Sequence, residues 1–208
     1  MSLIRMVDNT EIEVEVSNLV NKRLHLCQSY RQVQTEFLTD EINLPVYGRL
    51  FELIRELECE EIEEMIRFQI SRGQKIIWSD LKHLEKIENR KPSDMITILL
   101  DLEKKIHQST LELFKHACEK FDVGLTTFLS DRIILRQIKV IRKRANQLRN
   151  LKRSEDDVTP FLTAKLHIRF VVEKLERELK LHFERRELIN RASSYRNTVK
   201  DDKQSTTD

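Results

Sequence analysis

The sequence predicts an all-α protein, a bundle of four long helices followed by a fifth helix near the C-terminal end. Only 3 Gly and 3 Pro occur among 208 residues, and 35% of the residues are charged, which is typical of long helices joined by few turns. Four long stretches carry apolar residues at steps of three and four, the period of an amphipathic helix. Residues 74–91 form a connection too long for a tight turn, so the second and third helices are expected to lie parallel across a crossover.

Composition also argues against several classes of function. The 37 Lys and Arg residues against 35 Asp and Glu give a net charge of +2, which supports neither a nucleic-acid partner nor a membrane partner. The N-terminal residues lack the apolar run of a signal peptide, and no stretch is long and apolar enough to cross a bilayer. Cys27, Cys59 and Cys118 are odd in number and widely spaced, as expected of reduced thiols. We therefore expect a soluble cytoplasmic protein.

The first helix is predicted over residues 11–39, and its apolar face contains one charged residue, Arg23. An arginine in such a position often extends its guanidinium to solvent while its stem stays buried. On periodicity alone, a structural role is therefore the simpler interpretation of Arg23. The apolar members of the face are Val16, Leu19, Val20, Leu26, Cys27, Tyr30, Val33 and Phe37.

The second helix is predicted over residues 44–71, with Pro45 in its first turn and Gly73 in a left-handed position just beyond its end. Glu58 and Glu61 fall on its inward stripe three residues apart, so their side chains project together. Most other acids of this run are expected on a solvated face. The apolar residues of the stripe are Tyr47, Leu50, Phe51, Ile54, Leu57, Ile62, Met65 and Phe68.

The third helix is predicted over residues 93–121, with Ser93 as N-cap and Gly124 ending it. Its inward face contains a lone carboxylate, Glu103, which requires a partner because isolated acids are seldom buried. The other members of that face are Met95, Leu99, Leu102, Ile106, Thr110, Leu113 and Ala117.

The fourth helix is predicted over residues 125–151, with Gln137 on its inward side. Basic residues, Arg142, Lys143 and Arg144 among them, crowd its C-terminal half, where cations interact favourably with the helix dipole. The apolar face is predicted to comprise Phe128, Ile134, Ile138, Ile141, Ala145 and Leu148.

The fifth helix is predicted over residues 161–190, after an N-cap and proline at Thr159 and Pro160. Its apolar residues, Ile168, Val172, Leu175 and Leu179, suit either a coiled-coil seam or a helix docked on the bundle. The chain is thus divided into an arm (residues 1–10), the bundle (11–153), the fifth helix (154–192) and a disordered tail (193–208).

Several motifs, in this order, resemble those of a ferritin subunit. Residues 71–76 (SRGQKI) and 79–82 (SDLK) resemble the end of the second ferritin helix and the crossover. Residues 102–109 (LEKKIHQS) and 111–113 (LEL) resemble the third helix, and residues 134–141 (ILRQIKVI) and 146–149 (NQLR) resemble the fourth. The likeness extends over roughly residues 16–151 and implies a ferritin-like four-helix bundle.

A ferritin subunit of the heavy type oxidises ferrous iron at a dinuclear site inside its bundle, and the resemblance assigns five positions to that site here. Glu58, Glu103 and Gln137 match the family's residues. Glu61 stands where the family has a histidine, and Arg23 stands where it has a glutamate. The resemblance therefore implies a heavy-chain-like subunit with a degenerate ferroxidase centre, in which Glu58, Glu61, Glu103 and Gln137 remain as candidate metal ligands.

The two departures differ in their expected effect. Glutamate in place of histidine exchanges a nitrogen ligand for an oxygen ligand, which iron accepts. Arg23, by contrast, is always charged and cannot coordinate a metal. At about 4 Å and an effective dielectric constant near 20, each unit charge pair is worth roughly 4 kcal/mol, so Arg23 should disable the site. In the metal-free chain Arg23 could instead bridge Glu58 and Glu103.

The resemblance also identifies a face that would line the cavity of a ferritin cage. There Leu57 replaces one acid that would nucleate mineral, whereas Glu60 and Glu63 remain as candidate ferric-ion ligands. The fifth helix is longer and more charged than its counterpart in the family, which brings the usual closure of a cage into question.

Three functions remain open from the sequence. The first is an intracellular iron-binding or iron-storage subunit, carrying Fe²⁺ or Fe³⁺, that assembles with itself or with other ferritin subunits in a cage. The second is a structural or partner-binding protein that kept the bundle and lost iron. The third is an altered but active oxidase that uses Glu58, Glu61, Glu103 and Gln137. The histidines, including His107 and His116, lack the spacing of a helical zinc site and receive no role.

Overall fold

The computed structural model describes residues 10–81, 87, 90–154, 166–181 and 184, and it is all-α, as the sequence predicts. A long crossover joins the second and third helices. The fourth helix contains a π-helical segment between two α-helical parts. The helices are α1 (Thr10–Leu38), α2 (Pro45–Ser71), α3 (Pro92–Glu119), α4 (Val123–Phe128, the π-helical segment Leu129–Ile134, and Leu135–Ser154) and α5 (166–181).

The core lies between the inward faces of the helices. α1 packs against α2 and α3, and α3 packs against α4. The predicted faces of α1 and α3 are confirmed, because all their members are buried except Leu102, which is half-buried. Stacked rings of Phe37, Tyr47 and Phe51 fill one part of the core between α1 and α2, with centroids 5.4 Å apart in each pair that includes Phe37.

The ends of α2 and α3 agree with the sequence in part. Gly73 follows α2 with a φ of 76°, the left-handed conformation expected of it. Ser93 is not the N-cap of α3, because Pro92 already occupies the first turn and the helix is capped at Lys91. Gly124 does not end α3 either. Phe121 takes the left-handed conformation there, with a φ of 55°.

The inward face of α4 differs from the predicted one. A π-helical turn adds a residue to the repeat and so rotates the face that follows it. Ile138, predicted to point inward, is 49% exposed, whereas Arg144 is only 2% exposed. Gln137 is buried, as predicted. The buried positions described in α4 are Leu125, Leu129, Ile133, Gln137, Arg144, Gln147 and Leu151.

α5 is docked on the bundle, one of the two arrangements that the sequence allowed. Its residues Ile168, Val172, Leu175 and Leu179 are buried and belong to the same apolar core as the other helices. Arg49 Nη2 of α2 lies 2.9 Å from Glu176 Oε1 of α5. Most of the predicted arm, the predicted tail, Pro160 and the outer parts of the predicted fifth helix lie outside the described residues.

No helix among the residues that the structure describes is long and apolar enough to cross a membrane.

Candidate metal centre

The four candidate ligands of the bundle centre line one small cavity. Glu58 and Glu61 reach it from α2, Glu103 from α3 and Gln137 from α4. The cavity measures about 20 Å³, which is room for roughly one water molecule. The fold therefore brings together residues that lie as far apart as positions 58 and 137 in the sequence.

Arg23 holds the two α2 acids. Its Nε donates to Glu58 Oε1 at 2.5 Å, and its Nη2 donates to Glu61 Oε2 at 2.5 Å. The guanidinium is fully buried, with only 1% of the side chain exposed, so Arg23 does not extend to solvent. Burial by itself lowers the pKa of Arg23, but the charges and hydrogen bonds of Glu58 and Glu61 outweigh it and raise that pKa above the usual arginine value.

The α2 acids keep some access to solvent and to a second cation. Glu58 and Glu61 are 13% and 14% exposed. Arg136 of α4 is more open, and its Nη1 lies 3.7 Å from Glu61 Oε1 and 3.4 Å from Glu64 Oε2. Burial raises the pKa of Glu61, and Arg23 opposes that rise without cancelling it.

Glu103 has different partners from those that the sequence suggested. Arg23 bridges Glu58 and Glu61, not Glu58 and Glu103. Glu103 Oε1 instead accepts hydrogen bonds from Arg144 Nε at 2.9 Å and from the Tyr30 hydroxyl at 2.5 Å. The reason is the rotated face of α4, which aims the Arg144 guanidinium at the carboxylate.

Arg144 is held on all sides within the core. Its Nη1 donates to Gln147 Oε1 at 2.7 Å, and its guanidinium lies 5.5 Å from the Tyr30 ring centroid and 4.9 Å from that of Phe51. Burial lowers the pKa of Arg144, and the Glu103 charge more than compensates, so the pKa is raised. Burial, together with Glu103, raises the pKa of Tyr30 well above its ordinary value.

The sequence reasoning missed the role of Arg144 at this site. It was assigned to a basic run near the helix end, where cations favour the dipole. A signal was nevertheless present, because Gln137, Arg144 and Leu151 recur at steps of seven, which is two helical turns. An arginine at the middle of that stripe must point to the core.

Gln137 belongs to a third group of contacts. Its Nε2 donates to Thr110 Oγ1 at 3.0 Å, and its Oε1 lies 3.0 Å from His107 Nδ1. The sequence reasoning gave His107 no role at this site. The amide of Gln137 is thus engaged by α3 at both its oxygen and its nitrogen.

These contacts decide what the site can do chemically. Two buried arginines pair with the three carboxylates: Arg23 binds two of them and Arg144 binds the third. The cluster therefore has the ligand types of a metal site, but cations occupy fixed positions beside the ligands. Within the described residues, no three His, Cys, Asp or Glu side chains are arranged to hold a metal ion. The residues present therefore do not fit a dinuclear iron centre unless Arg23 moves.

The second group of candidate ligands lies on the same helix, α2. Glu60 is half-buried and lines a cleft of about 330 Å³ between α2, α4 and α5, while Glu63 is exposed. Glu58 and Glu61 line the same cleft. Leu57 lines the same cleft, as do Val171 and Leu175 of α5. α5 thus lies along part of the face to which Glu60 belongs.

Two cysteines adjoin the Arg23 group. Cys27 Sγ lies 3.5 Å from Cys59 Sγ, one residue along α2 from Glu58. The hydrogen bond with Cys27 lowers the pKa of Cys59 to about 7, and the same bond, together with burial, raises the pKa of Cys27.

Comparison with known proteins gives a consistent result. Residues 15–154 match the family described as a ferritin-like domain. The chain is 30% identical to ferritin light chain 1 of Mus musculus over 152 residues, 73% of this chain and 83% of the relative. It is 28% identical to soma ferritin of Lymnaea stagnalis over 145 residues (70% and 83%), and 27% identical to the ferritin middle subunit of Salmo salar over 154 residues (74% and 88%).

Proposed function

This chain belongs to the ferritin family, and we propose that it is an iron-storage subunit whose own bundle does not oxidise ferrous iron. The observation that carries the proposal is the double hydrogen bond of buried Arg23 to Glu58 and Glu61. Iron is here the cargo of the assembly and not a resident cofactor of this bundle. The subunit works in the cytoplasm, in a cage with copies of itself or with other ferritin subunits.

Electrostatics support an inactive centre. A ferrous ion beside Glu58 would need both carboxylates that Arg23 now binds, and it would meet the guanidinium charge at close range. Each unit charge pair at about 4 Å is worth roughly 4 kcal/mol at an effective dielectric constant near 20. Removing Arg23 from its two partners would also leave a buried cation unpaired. Both terms oppose metal binding.

Glu103 adds a second obstacle. Its Oε1 already accepts hydrogen bonds from Arg144 and Tyr30, and Arg144 is only 2% exposed. A ligand to iron must release such partners or share them with the ion. In this proposal two cations from different helices keep metal out of the centre: Arg23 of α1 and Arg144 of α4.

In this proposal the chain contributes to storage through the rest of the assembly. Other ferritin subunits supply the oxidation of iron, while the acids Glu60 and Glu63 offer weak ferric-ion sites on the face of α2. Leu57 and the docked α5 reduce the number of acids available on that face. In a mixed cage, each copy of this chain therefore lowers the number of oxidation sites per cage while still occupying a subunit position in the protein shell.

The first experiment measures oxygen consumption by the purified, iron-free chain after addition of ferrous iron. We expect a rate no greater than that of buffer, because Arg23 occupies the position of a ligand. The matched control is an Arg23→Glu/Glu61→His variant, which restores the family's residues at both positions. Fast, saturable oxygen consumption by the wild-type chain would contradict the proposal.

Native mass measurement of the chain, alone and after refolding with a second ferritin subunit, then distinguishes storage from the second candidate. A closed assembly that contains this chain and retains iron supports the storage role. A monomer or dimer that never joins the other subunit supports the non-iron structural or partner-binding protein. The observation that favours this second candidate is α5, which is docked along the α2 and α4 face through Val171 and Leu175.

A further inference from the structure

The three cysteines of the chain have different surroundings. Cys27 of α1 is buried and Cys59 of α2 is half-buried, and their sulfur atoms lie 3.5 Å apart. Cys118 of α3 is exposed and belongs to another part of the bundle. Two thiols in direct contact across a helix interface have a chemistry that neither has alone.

The two sulfur atoms are in van der Waals contact. A disulfide bond is about 2.0 Å long, so the sulfur atoms need to approach by roughly 1.5 Å to form one. α1 and α2 already pack directly against each other, so no helix must travel to close the bond. Cys27 is one turn from Arg23, and Cys59 follows Glu58, so the bond would form beside the ion pairs of the bundle centre.

We propose that Cys27 and Cys59 form a peroxide-reactive thiol site that closes as an intrachain disulfide between α1 and α2. The substrate class is hydrogen peroxide. The site uses no iron, so it does not depend on the storage role.

The reaction has two steps. Cys59, the more accessible sulfur, attacks one oxygen of hydrogen peroxide and breaks the O–O bond, giving a sulfenic acid and one water. The Cys27 sulfur then attacks the Cys59 sulfur, the S–O bond breaks, and the hydroxyl leaves as a second water with the Cys27 proton. Two thiols and one peroxide give one disulfide and two waters, so two electrons pass from sulfur to oxygen.

The difference in burial assigns the two roles. Free cysteines are commonly buried as small apolar residues, and Cys27, only 7% exposed, fits that description by itself. Cys59 does not, because it lies in the acidic run of α2 between Glu58 and Glu60 and is open in part to solvent. A half-buried sulfur that meets the oxidant and a buried sulfur that resolves the product form a complementary pair.

Closing the bond should also stabilise the fold. The disulfide would join residues 27 and 59 and thereby restrict the unfolded chain over the loop between them. Arg23 and Glu58 would be held in register by the adjacent bond. We therefore expect the oxidised chain to melt at a higher temperature than the reduced chain.

The test treats the reduced full-length protein with one equivalent of hydrogen peroxide in chelator-treated, iron-free buffer. Remaining thiols are then alkylated and the protein is digested without reduction for mass spectrometry. We expect a cross-linked peptide pair containing Cys27 and Cys59, two thiols lost per molecule, and Cys118 still alkylated. The matched control is Cys118→Ser, which should give the same cross-link in the same yield.

Two variants separate the steps. Cys27→Ser should stop at a sulfenic acid on Cys59 that dimedone traps, and Cys59→Ser should leave Cys27 reduced under the same treatment. The wild-type measurement needs neither variant to fold. Over-oxidation of Cys59 without a cross-link, or loss of Cys118 alone, would overturn the proposal. Because iron is absent throughout, such a failure leaves the storage role untouched.

Discussion

The bundle centre contains two arginine–glutamate clusters that differ mainly in their access to solvent. In the first, Arg23 binds Glu58 and Glu61, whose side chains are 13% and 14% exposed. In the second, Arg144 binds Glu103, and the two side chains are 2% and 3% exposed. The first cluster shares a second cation, Arg136, whereas the second is enclosed by the rings of Tyr30 and Phe51.

This difference indicates which of the two clusters contributes more to the stability of the fold. Water cannot solvate a deeply buried ion that has lost its partner. Removing one partner should therefore lower the free energy of unfolding more in the Glu103 cluster than in the Arg23 cluster. The Arg23 cluster can relax toward solvent and toward Arg136. Replacing Arg23 therefore changes the chemistry of the site at a smaller loss of stability than replacing Arg144.

The largest effect is expected from Arg144→Met, which keeps the bulk of the side chain and removes its charge. Glu103 would then be a buried carboxylate with Tyr30 as its remaining partner, and stability should fall by about 3–5 kcal/mol. Urea unfolding followed by circular dichroism measures the loss. Lys143→Met is the matched control, since Lys143 is exposed and adjacent in sequence, and it should change stability by no more than about 0.5 kcal/mol. Equal effects of the two changes would contradict the comparison.

A smaller loss is expected from Arg23→Met, of about 1–3 kcal/mol in the same unfolding experiment. Glu58 and Glu61 lose their shared partner, but both retain partial solvent access and Glu61 keeps Arg136 at 3.7 Å. A loss as large as that of Arg144→Met would mean that solvent access does not distinguish the clusters.

The smallest effect is expected from Glu176→Gln, which breaks the ion pair between α5 and Arg49. That pair has the same 2.9 Å separation as Arg144 and Glu103, but its side chains are 44% and 43% exposed. Exposed pairs contribute about 0–1 kcal/mol, so a thermal melt should shift by little. A large shift of the melting temperature would show that the separation of the charged atoms determines the strength of these ion pairs more than the burial of their side chains does.

The sequence predicted most of the fold and only part of the site. The helical period of the apolar residues predicted the four long helices and the inward faces of α1 and α3, because core residues recur about once per helical turn. The length of the connection between the second and third helices predicted the crossover. The face of α4 did not, because the π-helical turn at Leu129–Ile134 changes the period without a marker in composition. The sequence reasoning therefore placed Arg144 in the basic run near the helix end, although its spacing of seven residues from Gln137 indicated the core.

The partner of Arg23 illustrates a second limit. Glu58 and Glu61 are three residues apart on one helix, so their side chains project together, and one guanidinium can reach both. The sequence alone instead predicts that Arg23 pairs with Glu58 and Glu103. Periodicity predicts which face of a helix a residue lies on, but it does not predict which residue of a neighbouring helix lies at the same level along the bundle axis. In the structure Glu103 lies level with Arg144, which binds it.

The central claim is that Arg23 excludes metal from the bundle, and a thermal melt with and without ferrous iron, under anaerobic conditions, tests it most directly. The proteins compared are the wild type and Arg23→Glu/Glu61→His, in which an added acid near Glu58 should lower the stability of the metal-free chain by charge repulsion. A ligand that binds only the folded state raises the melting temperature. We predict that iron raises the melting temperature of the double variant and leaves the wild type unchanged. An equal rise in the wild type would contradict the account. No rise in the double variant would contradict the claim that Arg23 alone excludes the metal, and would leave Arg144, which binds Glu103, as the remaining barrier.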